Sequence, residues 1–168
     1  RLHQEITLRK MKQNLSKGEL RHIISHKPRS GKSLTMLCGI HHLLLSGKKR
    51  ILVATPVPST IDQFIDELRK YTEFRNVRYK TQEEFLHIKD DFEGIIFCSV
   101  QYFKINNGEK KKKLRDLQLD AAFFDESHHC TSTPKTYNEM IRACENESLI
   151  QVFCSGTSRK TEMFYKVL

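Results

Sequence analysis

"IISHKPRSGKSLTM", residues 23–36, joins an apolar segment to a helix-forming one through a loop ending in Gly31-Lys32-Ser33. The apolar segment, "RHIIS" at 21–25, reads as a strand. The helix opened by Gly-Lys-Ser is predicted to run to about Leu45, where Ser46-Gly47 stops it. Helix starts leave backbone N–H groups without partners, and such groups attract phosphate. In a loop of this kind Gly31 lets the backbone approach the ligand, Lys32 reaches β- and γ-phosphates, and Ser33 binds Mg²⁺. The strict pattern also has a glycine five residues before Gly31, where this chain carries His26, followed by Pro28, Arg29 and Ser30. The competing reading is an ordinary helix start with Gly-Lys-Ser on a surface loop.

The rest of the chain repeats the same alternation. A helix is expected over 2–16, with Leu2, Ile6, Leu8, Met11 and Leu15 near helical spacing. "RILVAT" at 50–55 is continuously apolar and so reads as a strand buried on both faces. Pro56 and Pro58 break it, and Ser59 is expected to cap a helix over 60–71. A short strand is expected at 77–80 with a helix after it, then a buried strand at 94–99 and a helical stretch near 109–118. Strands at 121–126 and 148–156 complete the series. Strand and helix in alternation predict an α/β fold, a mostly parallel sheet with helices on both faces. Ligands of such sheets bind at the carboxyl ends of the strands, where these strands carry their polar residues.

Composition sets bounds. At 168 residues, 38% hydrophobic and 29% charged, the chain suits one globular domain with a real core. No run of eighteen or more apolar residues is present, so no membrane span is expected. The formal net charge of +9 suits either a polyanionic partner such as nucleic acid or simply a basic, solvated surface. The lysines at 110–113 read as a solvated loop or helix face. The five cysteines, at 38, 98, 130, 144 and 154, form no C-x-x-C pair, which points to a reducing, intracellular setting. "SHHC" at 127–130 lacks the ligand spacing of a zinc site. The start at Arg1 and the end on "FYKVL" suggest a piece of a longer protein.

A second motif lies in "AAFFDESHH". An apolar strand that ends in Asp125-Glu126 sets two carboxylates at the ligand edge. Asp125 suits a direct or water-mediated Mg²⁺ contact, and Glu126 suits orienting and deprotonating an attacking water. Alternatively, these are acids favouring a helix start. The two motifs together, in this order, indicate Mg²⁺–nucleotide binding.

In these motifs the chain resembles the first RecA-like domain of superfamily 2 helicases and translocases, of the DExH kind. "PRSGKS" looks like helicase motif I, "VATP" at 53–56 like motif Ia, "DESH" at 125–128 like motif II, and "CSGT" at 154–157 like motif III with Gly156 for the usual alanine. "SVQYF" at 99–103 looks like the strand-end motif between them. The general tone is closest to restriction-type and large-virus helicases. In this family the first loop position is often not glycine, so His26 is a mild departure. Many relatives have glycine at Arg29, which is expected to turn outward or lie against the anion.

The resemblance implies an ATPase that uses ATP and Mg²⁺. It implies that His128 meets Ser155 and Thr157 and couples the nucleotide to a nucleic-acid site. Thr55-Pro56, with Ser99 and Gln101 nearby, would meet the backbone of DNA or RNA. Gln4 would read the adenine edge, against the alternative of a plain amphipathic helix. A second RecA-like domain, supplying an arginine finger, is expected elsewhere in the full-length chain, so this domain alone should hydrolyse ATP slowly. The rival readings are a restriction-enzyme translocating motor, a P-loop phosphotransferase, and a nucleic-acid-binding module without hydrolysis.

Overall fold

The computed structural model describes residues 2–26, 30–104, 107–126, 134–156 and 166–167. Its centre is one parallel sheet of seven strands: β1 (Arg21–Ser25), β2 (Arg50–Thr55), β3 (Tyr79–Thr81), β4 (Gly94–Ser99), β5 (Ala121–Phe124), β6 (Ile150–Ser155) and β7 (Lys166–Val167). Their spatial order is β3-β4-β2-β5-β6-β1-β7, and every pairing is parallel. Parallel neighbours need crossovers, which among the described residues five α-helices and shorter turns provide: α2 (Lys32–Leu45), α3 (Pro58–Lys70), α4 (Val100–Phe103), α5 (Asn107–Asp116) and α6 (Pro134–Cys144), with α1 (Leu2–Ser16) preceding β1.

The apolar runs explain why these strands are central. Side chains alternate between faces along a strand. Ile51 and Val53 of β2 join a core with Met36, Ile40, Ile61 and Phe64 of α2 and α3. Leu52 and Ala54 join the opposite core with Phe103, Leu114, Tyr137 and Met140 of α4, α5 and α6. Phe123 and Phe124 of β5 divide in the same way, both with no exposure. Burying one such side chain contributes roughly 1.5–3 kcal/mol.

Several boundaries differ from the sequence expectation, each for a local reason. Pro58 takes the first helical position of α3 with Val57 as N-cap, so Ser59 lies inside the first turn and does not cap it. After β3 the chain makes only a 3₁₀ turn, Phe85–His87, in place of the expected helix. β5 stops at Phe124, and the two acidic residues beyond it form a turn. α6 and β7 have no counterpart in the sequence reading. The expected stop of α2 is present: Gly47, at φ +90°, turns the chain while the Lys48 N–H donates to the Leu43 carbonyl.

The lysine run proves to be a helix face tied into its own fold. On α5, Lys111 pairs with Glu139 at 2.9 Å and Lys112 with Asp116 at 2.7 Å. Lys110 donates to the Tyr102 carbonyl at 2.6 Å and stands over that ring, and Lys113 donates to the Ile88 carbonyl. Cys98, Cys144 and Cys154 are buried and Cys38 is half-buried, all as free thiols. Among the described residues, no helix is long and apolar enough to cross a membrane.

Candidate functional site

Strand order builds the site. β6 lies between β1 and β5, so the loop leaving β1 and the turn leaving β5 flank the end of β6 at the sheet's carboxyl edge. The loop's far end opens α2 at Gly31, which adopts the left-handed conformation at φ +84°. No side chain caps this helix. Its first ladder bond runs from the Thr35 N–H to the Gly31 carbonyl at 3.0 Å, so the N–H groups of Lys32, Ser33 and Leu34 precede the ladder. With Gly31 as N-cap the helix forgoes only roughly a few tenths of a kcal/mol relative to a side-chain cap.

The Gly31 carbonyl is held from two further directions, by the Thr35 hydroxyl at 3.0 Å and by Gln4 Nε2 at 3.1 Å. The fit is close: a Cβ on Gly31 would stand 2.6 Å from Gln4 Nε2. Two more contacts from the first turns of α1 reach the loop. His3 Nε2 donates to the Ser30 carbonyl at 2.9 Å, and Thr7 Oγ1 lies 3.1 Å from Nε2 of the buried His26.

Across the edge, Lys32 Nζ lies 2.9 Å from Asp125 Oδ1 and also pairs with Glu126 Oε1. The Asp125 side chain is 4% exposed and that of Glu126 32%, so one carboxylate is sunk and the other faces the opening. Burial raises the Asp125 pKa, with Lys32 opposing and Glu126 adding to the rise. For Lys32, burial acts to lower the pKa, but Asp125 and Glu126 outweigh it and the net direction is upward. The turn bearing the acids is pinned by two hydrogen bonds and bends through one left-handed residue. The Asp125 N–H donates to the Ala54 carbonyl at 2.8 Å, the buried Tyr137 hydroxyl donates to the Asp125 carbonyl at 2.7 Å, and Glu126 adopts φ +51°. Such a left-handed non-glycine residue is held by its surroundings and is frequent at functional sites.

The carboxylate pair already accepts a cation, the Lys32 ammonium. Among the described residues no cluster of three or more His, Cys, Asp or Glu could hold a metal by itself. A cation there would need the Ser33 hydroxyl, phosphate oxygens and water as well.

The residues expected to meet nucleic acid are differently placed. Thr55 and Ser99 have no exposure. The Thr55 hydroxyl donates to the Val57 carbonyl at 3.0 Å. Ser99 Oγ donates to Gln82 Oε1 at 2.8 Å and accepts from the Tyr102 N–H at 3.1 Å, capping α4. Pro56 is half-buried and Gln101 exposed at the same edge. Ser155 is buried in β6, where its carbonyl accepts from the His26 N–H at 3.2 Å. Pro28, Arg29, His128 and Thr157 lie outside the described residues, so neither the turning of Arg29 nor the His128–Thr157 contact is described.

Sequence reasoning missed His3, Thr7, Gln82 and Tyr137. Tyr137 was findable: apolar residues at 137, 140, 141, 143 and 144 mark one face of a helix. The others have no local signal, because each acts on a loop or strand end distant in sequence.

A parallel sheet with an uncapped helix start facing a strand-end carboxylate pair is the arrangement of a RecA-like α/β domain. Residues 1–157 match the family described as "Type III restriction enzyme, res subunit", and the chain belongs to it. No curated protein sequence matches the chain. The fold is similar to the UvsW helicase from bacteriophage T4, with a TM-score of 0.70 and 17% identity over 100% of this chain and 59% of that one. It is also similar to the Pyrococcus furiosus Hef helicase domain, with a TM-score of 0.70 and 18% identity over 94% of this chain and 33% of that one. The Sulfolobus solfataricus SWI2/SNF2 ATPase core in complex with dsDNA gives 0.69 and 13% over 89% of this chain and 31% of that one. The chain thus spans from under a third to about three-fifths of these structures.

Proposed function

We propose that this chain is the ATP-binding half of a nucleic-acid-dependent motor, hydrolysing ATP to move on or unwind DNA or RNA. One observation carries the reading: a lysine at an uncapped helix start reaches two strand-end carboxylates of unequal burial. In the proposed cycle Lys32 exchanges Asp125 and Glu126 for the β- and γ-phosphates, and the N–H groups at the start of α2 donate to the same anion. Ser33 and Asp125 would hold Mg²⁺, which when bound neutralises charge on the phosphates. Glu126, freed from Lys32 and facing the opening, orients the attacking water and takes its proton. His26, Pro28, Arg29 and Ser30 complete the cradle, with Gln4 beside the base. His128, Ser155 and Thr157 would relay nucleotide state toward the strand.

Nucleic acid would cross the same carboxyl edge through backbone contacts, without base readout. With the Thr55 and Ser99 hydroxyls satisfied internally, Pro56 and Gln101 are the side chains left to meet it there. A second RecA-like domain of the same full-length chain would close the cleft and supply an arginine finger. The reading agrees with an intracellular site of action, since the described cysteines are free. A second reading, a motor that translocates on duplex DNA without unwinding it, is favoured by the restriction-enzyme family match.

Calorimetric titration of the 168-residue chain with Mg²⁺–ATP tests the core of the reading. Binding that is lost in Lys32→Ala is expected, with slow turnover; full nucleic-acid-stimulated turnover from this chain alone would refute the need for a second domain. In the full-length protein, Glu126→Gln should keep ATP binding and lose hydrolysis. Strand-displacement and triplex-displacement assays on that protein separate unwinding from translocation.

A further inference from the structure

His26 occupies the first position of the loop, where a small residue is usual, and it is 7% exposed. Its ring is engaged on one side only. Nε2 is 3.1 Å from Thr7 Oγ1, while Nδ1 is buried and has no hydrogen-bond partner among the described residues. The Thr7 hydroxyl has one proton, and it donates that proton to the His3 carbonyl at 2.9 Å. Toward His26, Thr7 can therefore only accept, and the Nε2 of His26 carries the hydrogen. In the neutral ring Nδ1 is then a bare lone pair, which tolerates burial better than an orphaned N–H.

The surroundings oppose a charge on this ring. His3 of α1 stands edge-on to it with centroids 5.2 Å apart, and Lys32 of α2 also acts on it. On the β6 side the Ser155 carbonyl accepts from the His26 backbone N–H. Burial first, then His3, then Lys32 lower the His26 pKa. Together with His3 on Ser30 and Gln4 on Gly31, the Thr7–His26 contact means that α1 grips the loop at both ends.

We propose that His26 is a positioning residue: as a neutral Nε2–H imidazole keyed to Thr7, it locks α1 onto the loop and fixes the loop's departure from β1 for phosphate binding. Protonation would place an N–H without an acceptor at the buried Nδ1 and a charge beside His3 and Lys32. The lock therefore loosens in acid. The inference rests on the reading of the loop as an ATP cradle, but its first test needs no nucleotide.

Long-range ¹H–¹⁵N spectra of the ligand-free chain should show His26 as the Nε2–H tautomer, with a titration midpoint below the ordinary histidine value. An Nδ1–H tautomer, or a midpoint at or above that of exposed histidines, would overturn the proposal whether or not ATP binds. Thr7→Val should speed hydrogen exchange at the amides of residues 30–32 without nucleotide; unchanged exchange would also count against it. For Mg²⁺–ATP binding, His26→Ala should weaken affinity about fivefold at pH 7.5, as expected for loss of one buried contact. His26→Gln, which keeps a donor but cannot charge, should restore most of it. Between pH 7.5 and 6.0 the wild type should lose more affinity than His26→Gln. Equal slopes would remove the protonation step, and a wild-type gain in acid would mean that His26 donates directly to phosphate, overturning the positioning role. A wild type that never binds ATP defeats the function proposed above, leaving the tautomer and exchange results to decide the lock.

Discussion

Two halves of the same sheet edge treat their polar strand ends in opposite ways. Beyond β1 and β5, Lys32, Asp125 and Glu126 converge on one another, and Glu126 stays partly open. Beyond β2 and β4, Thr55 and Ser99 are fully buried and spend their hydroxyls on neighbouring backbone and on Gln82. A polar residue at a strand end is therefore not by itself a site. What separates the halves is whether charge is assembled across strands or hydrogen bonds are closed locally.

The largest expected break comes from the charged half. Glu126→Gln in the full-length protein should lower turnover by about 10²–10⁴-fold with binding retained, the range expected when a general base is lost. Lys32→Ala leaves Asp125 buried without its cation. Removing one partner of a buried pair costs about 3–5 kcal/mol, so the melting temperature at pH 8 should fall sharply. The sign with pH is fixed by Asp125: its folded pKa is raised, so the penalty is absent where the carboxyl is protonated and grows as pH rises through the folded value. The deficit relative to wild type should shrink toward pH 5, and a pH-independent deficit would show that Asp125 is not the uncompensated group.

Next in size is Gly31→Ala. Its left-handed φ and the 2.6 Å approach of Gln4 Nε2 both act against a Cβ, and a cost of about 1–3 kcal/mol in chemical denaturation is expected. Adding Gln4→Ala should recover part of it, because that change relieves the clash and leaves the φ penalty. Ser99→Ala, in the quiet half, should cost about 1–2 kcal/mol through the lost cap of α4 while ATP binding stays within about twofold of wild type. A large loss of nucleic-acid-stimulated turnover with unchanged stability would instead move Ser99 to the active half. Thr55→Val is the smallest, about 1 kcal/mol or less, read from the urea midpoint.

The sequence makes legible what is local and periodic. Continuous apolar runs mark β2, β4 and β5, because strands buried on both faces are mostly apolar, and shorter runs mark β1 and β6 beside the buried His22 and Gln151. Gly31-Lys32-Ser33 marks the start of α2, and Asp125-Glu126 the end of β5. The pairing of Lys32 with both acids could be expected only through the resemblance, since nothing within either motif says that β6 inserts between β1 and β5. β7 escaped notice because two residues carry no periodic signal. The grip of α1 on the loop escaped because His3 and Thr7 look like surface residues of a polar helix until the fold sets them against His26 and Ser30.

The position of β1 has a consequence for how the chain is made. Arg21 pairs with Gln151, and Ser25 with Ser155, so the strand that launches the loop finds its sheet neighbour almost a chain length later. During synthesis at about 5–20 residues per second, β1 and its loop wait on the order of ten seconds before β6 leaves the ribosome. Until then Ile23 and Ile24 lack a partner strand. The corner where Lys32 meets Asp125 and Glu126 is thus among the last parts to become native, and under the proposed function the nascent chain is poorly placed to engage nucleotide before most of the domain exists.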